Sequence, residues 1–256
     1  MFFLNHFGLW LCLAAGFFGA PDKQEAVMIV NRGDVVWYGK NDMGIQVELP
    51  IAIELLDFTA EFYQPKLAIL SDEIFTSNNE YDLSSSPEVL IDNIIVQVEK
   101  YLPKAFFVDS AFINASGVPF SSHAVYVKVF NKNYLLITKG WLSTPSKVSN
   151  AHHINLPDGR NLKLLPPEPK YFGSSIKVYS KVSESVKVAR VEVNKPFIID
   201  GWWVYQHSYD NLAGNESSYS GFRVVKDPWM YAVYFGFVLM IIGVSLLLFT
   251  QSFKTK

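Results

Sequence analysis

The stretch Trp229–Phe249, WMYAVYFGFVLMIIGVSLLLF, contains no charged side chain. About 20 such residues are needed to cross the hydrocarbon core of a bilayer. A globular core helix of this length normally carries a polar face, so the stretch is not typical of a buried helix. Three aromatic residues open it, and Lys254 and Lys256 follow it. This pattern predicts a transmembrane helix over residues 229–250 and a cytoplasmic tail over residues 251–256.

The N-terminal run MFFLNHFGLWLCLAAGFFGA, residues 1–20, is also free of charge and is long enough to span a bilayer. A cleaved signal peptide is the alternative. The run lacks the basic start of such peptides, and its one small-residue site, Gly19-Ala20, has unsuitable neighbours. We therefore expect a retained transmembrane helix over residues 1–21. Two spans and a cytoplasmic C-terminus then put residues 22–228 outside the cytoplasm.

Composition excludes several classes of function. The chain has 22 basic and 24 acidic residues without a basic block, so the electrostatic footprint of a nucleic-acid-binding protein is missing. The single cysteine, Cys12, lies in the N-terminal run and cannot complete a disulfide, a CxxC motif or a zinc site within the chain. The sequence contains no HExxH, GxSxG, Walker or GxGxxG motif. A familiar hydrolase or nucleotide-dependent enzyme is not expected.

Short apolar runs separated by turn residues fill most of residues 22–228, and they predict strands. In the region 26–71 the pattern alternates, with one strand face before Pro50 and another face after it. The two faces hold Ile45, Val47 and Leu49, and then Ile51 and Ile53. Similar runs recur between residues 124 and 206, so we expect one mainly β, sandwich-like domain.

The segment SPEVLIDNIIVQVEKYLPK, residues 86–104, carries signals of a helix. Ser86 is a suitable N-cap, Pro87 suits the first turn, and apolar residues recur at helical spacing. β-Branched residues leave a strand open as the alternative for its second half. The expected fold is a membrane-anchored, mainly β chain in which N- and C-terminal transmembrane helices flank one extracytoplasmic domain with one or two helices.

His6 lies in the uncharged N-terminal run, within two helical turns of its cytoplasmic end. Ionisable residues inside a membrane are costly, so a functional role is the first hypothesis for His6. A neutral imidazole offers one nitrogen lone pair, which is what haem iron takes as an axial ligand. An interfacial position near the lipid headgroups is the alternative.

The other histidines carry weaker signals. His207 follows an aromatic segment near the predicted membrane face, where it either contacts haem or hydrogen-bonds the backbone. His123 stands alone before a strand and is expected at the surface. His152 and His153 are adjacent, so on a strand they point to opposite faces and do not share a metal ion. No metal site is predicted.

The run VEVNKPFIIDGWWVYQHSYD, residues 191–210, resembles the hallmark of ResB-like proteins of system II cytochrome c biogenesis (the CcsB/ResB family). The shared features are a Val-Asn-x-Pro strand start, a Gly-aromatic pair and Tyr-Gln-x-Ser-Tyr-Asp. Three further segments agree in order with this family, and the chain looks most similar to its short Bacteroidetes forms. They are the N-terminal run, LPIAIELLDFTAEFYQPK (residues 49–66) and the closing apolar stretch with its preceding strand (residues 224–249).

The resemblance implies a bacterial inner-membrane protein with its main domain on the periplasmic side. Together with a multi-span CcsA-type partner, such a protein presents haem to apocytochrome c. The cofactor implied is b-type haem, bound transiently and shared with the partner, and the chain is implied to be a non-catalytic subunit of a haem lyase complex. His6 matches the place of a proposed haem ligand of the family.

For the hallmark run, the resemblance implies either a membrane-proximal surface or a contact with the partner. The residues concerned are Asn194, Pro196, Tyr205, Gln206, Ser208, Tyr209 and Asp210. Typical members carry more N-terminal spans, so a shortened or split form is implied, and residues 72–160 match the family poorly. A haem-free structural subunit or scaffold of a respiratory or nitrite-reductase complex is the main alternative, and an anchored receptor or adhesin is a third.

Overall fold

The computed structural model describes residues 2–70, 80–83, 88–91 and 93–254, with side chains described up to residue 248. Two α-helices flank a mostly β region in the sequence: α1 is Phe2–Gly19 and α2 is Met230–Lys254. The strands are β1 (Gln24–Asn31), β2 (Val35–Lys40), β3 (Gln46–Phe62), β4 (Lys66–Leu70), β5 (Glu80–Asp82), β6 (Glu88–Ile91), β7 (Ile94–Val108), β8 (Ala111–Asn114), β9 (Ser122–Asn131), β10 (Leu136–Ser143), β11 (Ile154–Asn155), β12 (Asn161–Leu164), β13 (Pro169–Ser180), β14 (Ser185–Glu192), β15 (Phe197–Ile199), β16 (Trp202–Tyr209) and β17 (Tyr219–Lys226).

The two helices agree with the helices expected at both ends of the sequence. By length and composition, the segments Phe2–Asp22 and Met230–Leu248 are long and apolar enough to cross a membrane. Most of their side chains are not covered by the rest of the chain. An apolar helix that remains this exposed needs a surrounding solvent that is itself apolar.

The chain divides into two compact units, and each is discontinuous in sequence. The first, the helix-bearing unit, consists of Met1–Asp57, Ser174–Ser208 and Ser220–Lys256. The second, the sandwich unit, consists of Phe58–Gly173 and Tyr209–Tyr219. The domain predicted for residues 22–228 draws on both units, and its boundaries stay predictions.

In the helix-bearing unit, eight strands form one sheet in the order β14-β13-β3-β2-β1-β17-β16-β15. Its two end strands approach each other, since Glu192 at the end of β14 forms an antiparallel bridge with Lys195 in the short turn that leads to β15. The sheet therefore curls around a single apolar core. The largest side chains of this core are Met28, Ile51, Ile53, Leu55, Ile176, Trp202 and Phe222.

The prediction that Pro50 changes the buried face of β3 is wrong. Leu49, Ile51 and Ile53 all lie in the same core, so the alternation continues through the proline. A proline lacks an N–H but keeps its carbonyl, and the Pro50 carbonyl accepts a hydrogen bond of 2.9 Å from the Lys181 N–H. The strand thus loses one donor without losing its direction.

The sandwich unit contains two sheets. One has five strands, in the order β10-β9-β7-β6 with β8 paired to β7, and the other has the order β11-β12-β4-β5. Both sheets contribute to one core, which includes Leu67 and Leu162 from the smaller sheet and Val96 and Val127 from the larger one. Two sheets that share a core in this way form a sandwich, as the sequence predicted.

The helix predicted over residues 86–104 is wrong. Glu88–Ile91 and Ile94–Val108 form an antiparallel hairpin, and the second strand also pairs with β9. Ser86 and Pro87, the predicted start of the helix, lie outside the described residues. Consecutive buried residues Ile94–Val96 explain the outcome, because β-branched side chains pack well in a strand that is covered on both faces. No α-helix occurs among residues 23–229 wherever the structure describes them.

Candidate functional site

His6 lies on the exposed surface of α1. Its Nδ1 is 2.8 Å from the carbonyl oxygen of Phe2, and the imidazole stacks on the Phe2 ring with centroids 4.4 Å apart. Because a carbonyl oxygen only accepts hydrogen bonds, this contact requires the proton to be on Nδ1. The lone pair of Nε2 is then available to bind a metal ion.

The surface around His6 is aromatic. Phe3, Phe7 and Trp10 are 76%, 39% and 59% exposed, respectively. They follow one another along α1, with ring centroids 5.7 Å apart for Phe3 and Phe7 and 5.8 Å apart for Phe7 and Trp10. We call Phe2, Phe3, His6, Phe7 and Trp10 the aromatic face of α1. Within the described part of the chain, no other element covers this face.

The opposite side of α1 packs against α2. A Cβ on Gly8 would lie 2.6 Å from the carbonyl oxygen of Gly236, and one on Gly19 would lie 2.6 Å from the Trp229 ring. Between them, the Cys12 thiol donates to the carbonyl oxygen of Val233 at 3.4 Å. The two helices are therefore antiparallel and approach closely through small residues, as membrane helices often do. The spacing of Gly8, Cys12, Ala15 and Gly19 was the sequence signal for this interface, and the sequence analysis missed it.

Asn5 is the polar residue of this interface. Its Oδ1 lies 2.0 Å from the position that a Cβ on Gly243 would occupy, so only glycine fits there. Oδ1 is buried and has no hydrogen-bond partner among the described residues. An unpaired amide oxygen in an apolar environment is costly, which makes Asn5 an unusual neighbour for His6.

Gln206, by contrast, is buried in the core of the helix-bearing unit with its polar atoms paired. Its Oε1 accepts from the Ser174 hydroxyl at 2.7 Å, and its Nε2 donates to the Ser220 hydroxyl at 3.2 Å and to the Ser208 carbonyl at 3.3 Å. The hydroxyls of Ser174 and Ser220 are also 2.7 Å apart. This network joins β13, β16 and β17 and has the form of a structural core contact.

Tyr205 and His207 alternate with the core residues of β16 and lie on its other face. Burial raises the pKa of Tyr205, and the phenol of Tyr234 on α2 raises it further. His207 is exposed on the same face of β16, whereas His6 is thirteen residues from the end of α1, or about 20 Å along the helix. The two candidate ligands are not brought together.

Asn194 and Pro196 shape the backbone, and the Ser208 side chain packs against a glycine. Asn194 adopts a positive φ of 61° in the turn between β14 and β15, a conformation that asparagine tolerates better than most residues. Pro196 precedes β15 directly. The Ser208 hydroxyl fills the space above Gly221, where an added Cβ would lie 2.1 Å from it.

Tyr209 and Asp210 belong to the sandwich unit. The Tyr209 ring packs between Phe58 and Phe172, with both centroid distances at 5.0 Å. Asp210 pairs with Lys147 and accepts from the backbone N–H of Leu212 and Ala213. Burial acts to raise the pKa of Asp210, but Lys147 and the backbone donors outweigh burial and hold the pKa below its usual value.

The remaining histidines do not form a site. His123 is half-buried, and its Nδ1 lies 2.8 Å from the Tyr101 hydroxyl. Burial lowers the pKa of His123. His152 Nδ1 is 3.3 Å from the Ser143 hydroxyl, while His153 is exposed. Across the described residues there is no cluster of three or more histidine, cysteine or acidic residues that could hold a metal ion.

Comparison with known proteins supports the resemblance over part of the chain. The model of the ResB-like family matches residues 161–218. No curated protein matches the chain. The matched range contains every residue named from the hallmark run, whereas α1 with His6 lies outside it. Residues 161–218 are therefore a ResB-like segment, consistent with a ResB/CcsB-like protein of a family associated with cytochrome c biogenesis.

Proposed function

We propose that this chain is a subunit of a cytochrome c maturation complex, in which it helps to present haem to apocytochrome c outside the cytoplasm. The ResB-like segment at residues 161–218 supports the pathway. The two apolar terminal helices support a membrane location. In this proposal the membrane is the bacterial inner membrane, the strands of both units lie on the periplasmic side, and the chain itself is not the catalyst.

The observation that carries the haem proposal is the state of His6. Its Nδ1 is committed to the Phe2 carbonyl, so Nε2 keeps the lone pair that an axial ligand of haem iron needs. The neighbouring rings of Phe3, Phe7 and Trp10 offer an apolar surface for a porphyrin. The residues present thus fit the group, which would supply iron for ligation and vinyl groups for attachment.

The same geometry argues for a partner. His6 would supply one nitrogen ligand, and α2 lies on the opposite side of α1, so no element among the described residues is placed to cover the second face of a porphyrin held at His6. A multi-span membrane protein of the CcsA type would supply that cover. The role of this chain is then to hold and orient haem at one nitrogen atom, with the haem shared between the two proteins.

The test is the haem content of the full chain purified from membranes with any co-purifying protein. His6→Ala is expected to remove most of the absorption near ~410 nm, the usual region for histidine-ligated haem. His207→Ala is the matched control, since that imidazole is also exposed but lies on β16, outside the aromatic face of α1, and it should retain the band. Unchanged haem content in the His6→Ala variant would remove His6 from the mechanism, whereas a wild-type complex that contains no haem would favour the haem-free scaffold.

A further inference from the structure

One end of the curled sheet in the helix-bearing unit is connected to both helices. β1 begins at Gln24, shortly after α1, and the adjacent strand β17 ends at Lys226, shortly before α2. The Trp229 indole donates to the Asp22 carboxylate at 2.8 Å, which ties the two connections together. The turns at this end of the sheet therefore lie on the same side as the helices.

The loop between β2 and β3, residues 41–45, is at this end. Val27 pairs with Lys40, so the chain beyond Lys40 extends toward the level of Gln24. The pKa of Lys23 agrees with this position, because it is raised chiefly by a hydrogen bond to Glu25 and further by the charge of Asp42. The loop thus lies close to the end of α1.

Two more turns share this end. The β13–β14 turn, residues 181–184, contacts the start of β3 through an ion pair of 2.6 Å between Lys181 and Glu48. The β15–β16 turn, residues 200–201, is tied to it because Asp200 accepts from the hydroxyls of Ser180 and Ser183. We call residues 41–45, 181–184 and 200–201 the helix-side rim.

The tips of the helix-side rim are apolar and exposed. Met43, Ile45 and Val182 are 83%, 57% and 64% exposed, respectively. The Asn41 side chain accepts from the backbone N–H of Met43 at 3.1 Å and of Ile45 at 2.9 Å. These hydrogen bonds order the turn with the Met43 and Ile45 side chains directed outward. The turn therefore loses little conformational entropy when another surface covers these side chains.

We propose that the helix-side rim docks on the lipid surface of the leaflet nearest the β units, with Met43, Ile45 and Val182 entering the boundary between headgroups and acyl chains. The surface that covers the rim is lipid, because α1 and α2 hold the rim next to the bilayer when the two helices span the membrane. The inference rests on that membrane placement and not on haem.

The charges of the rim indicate which lipids are needed. Lys40, next to the rim, can extend its ammonium group to lipid phosphates while its stem lies along the interface, whereas the Lys181 ammonium is paired with Glu48. The other charged residues of the rim are Asp42, Glu184 and Asp200, so the rim has no excess of positive charge. Docking should therefore come from apolar contact and should occur on zwitterionic phosphatidylcholine without anionic lipid.

The test places a fluorescent label at single cysteines in the full chain, reconstituted alone into phosphatidylcholine nanodiscs. The background is Cys12→Ser, because a hydroxyl keeps the donor to the Val233 carbonyl. Met43→Cys and Val182→Cys report on the rim. Val193→Cys is the matched control, since Val193 is an exposed apolar residue in the turn at the opposite end of β14. Val238→Cys, exposed on α2, reports on the span.

Nitroxide lipids labelled near the headgroup should quench emission at residues 43 and 182 and leave residue 193 unquenched. Equal emission at residues 43, 182 and 193, with residue 238 quenched by nitroxide placed deeper in the acyl chain, would overturn the docking and keep the span. If the label at residue 238 were not quenched, α2 would not span the bilayer, and the docking inference would fail with the membrane placement. If the label at residue 43 were shielded from solvent in native membranes but not in nanodiscs, the surface that covers the rim would be a protein. That result would also overturn docking on lipid.

Discussion

The aromatic face of α1 and the segment from Asn194 to Asp210 both stand out in the sequence, but the structure treats their polar groups in opposite ways. In the segment, the amide of Gln206 and the carboxylate of Asp210 are satisfied by neighbours within the chain. On α1, His6 keeps one ring nitrogen unused on an exposed helix surface. Gln206 and Asp210 therefore stabilise the fold, and His6 is the better candidate for binding a ligand.

The largest expected effect comes from separating the two helices. Gly8→Leu puts a side chain where the Gly236 carbonyl lies 2.6 Å away, and we expect a cost of ~3 kcal/mol, the upper range for overpacking. The measurement is disulfide formation between Cys12 and a Val233→Cys partner in membranes, which should be lost. Gly16→Leu is the control, because a Cβ there meets no atom within 4 Å. Equal cross-linking in both variants would contradict the described helix packing.

A smaller effect is expected in the segment itself. Gln206→Leu removes the amide that joins Ser174 and Ser220, and we expect a loss of about 2 kcal/mol in unfolding free energy because buried hydroxyls lose a partner. His207→Ala on the same strand should change stability little, since His207 is exposed. Chemical unfolding of the purified full chain in detergent would measure both. A Gln206→Leu variant as stable as wild type would show that the network is not structural.

The smallest effect depends on pH. The folded chain holds the pKa of Asp210 below the ordinary value of 3.8, so this carboxylate adds stability above that value and loses it as pH falls through the lowered pKa. Asp210→Asn should therefore cost ~1 kcal/mol at pH 7, and the cost should shrink in acid below the ordinary pKa. Thermal unfolding over a pH series would measure this.

Asp109→Asn is the control for the Asp210 prediction, because Asp109 is an exposed carboxylate in a turn of the same unit. Its difference from wild type should be small at every pH. A cost of Asp210→Asn that stays constant through the acid range would mean that the carboxylate charge does not stabilise the fold.

Much of the fold could be predicted because its signals are local. The uncharged run in α2 needs no partner to identify it, and alternating residues such as Leu49, Ile51 and Ile53 mark a strand on their own. The helix expected over residues 86–104 failed because Ile94–Val96 are buried in a strand that pairs with β6 and β9, and Ile94 and Val96 enter the core shared with the facing sheet. Tertiary packing overrode the local spacing there.

The candidate site could be predicted only in part. His6 was identifiable because an ionisable residue is conspicuous in an apolar run. Its tautomer depends on the Phe2 carbonyl, and its outward direction depends on contact between Gly8 and Gly236, which are 228 positions apart in the sequence. Likewise, nothing local to Gln206 revealed that Ser174 and Ser220 would meet it in a buried network.

The most direct test of the central claim is rescue of a ligand deleted from α1. In the His6→Gly variant, purified from membranes with any co-purifying protein, the haem band should fall sharply and should return in part when free imidazole replaces the lost side chain. His207→Gly should show neither change. A His6→Gly protein that keeps its full haem band without imidazole would contradict the assignment of His6 as the haem ligand.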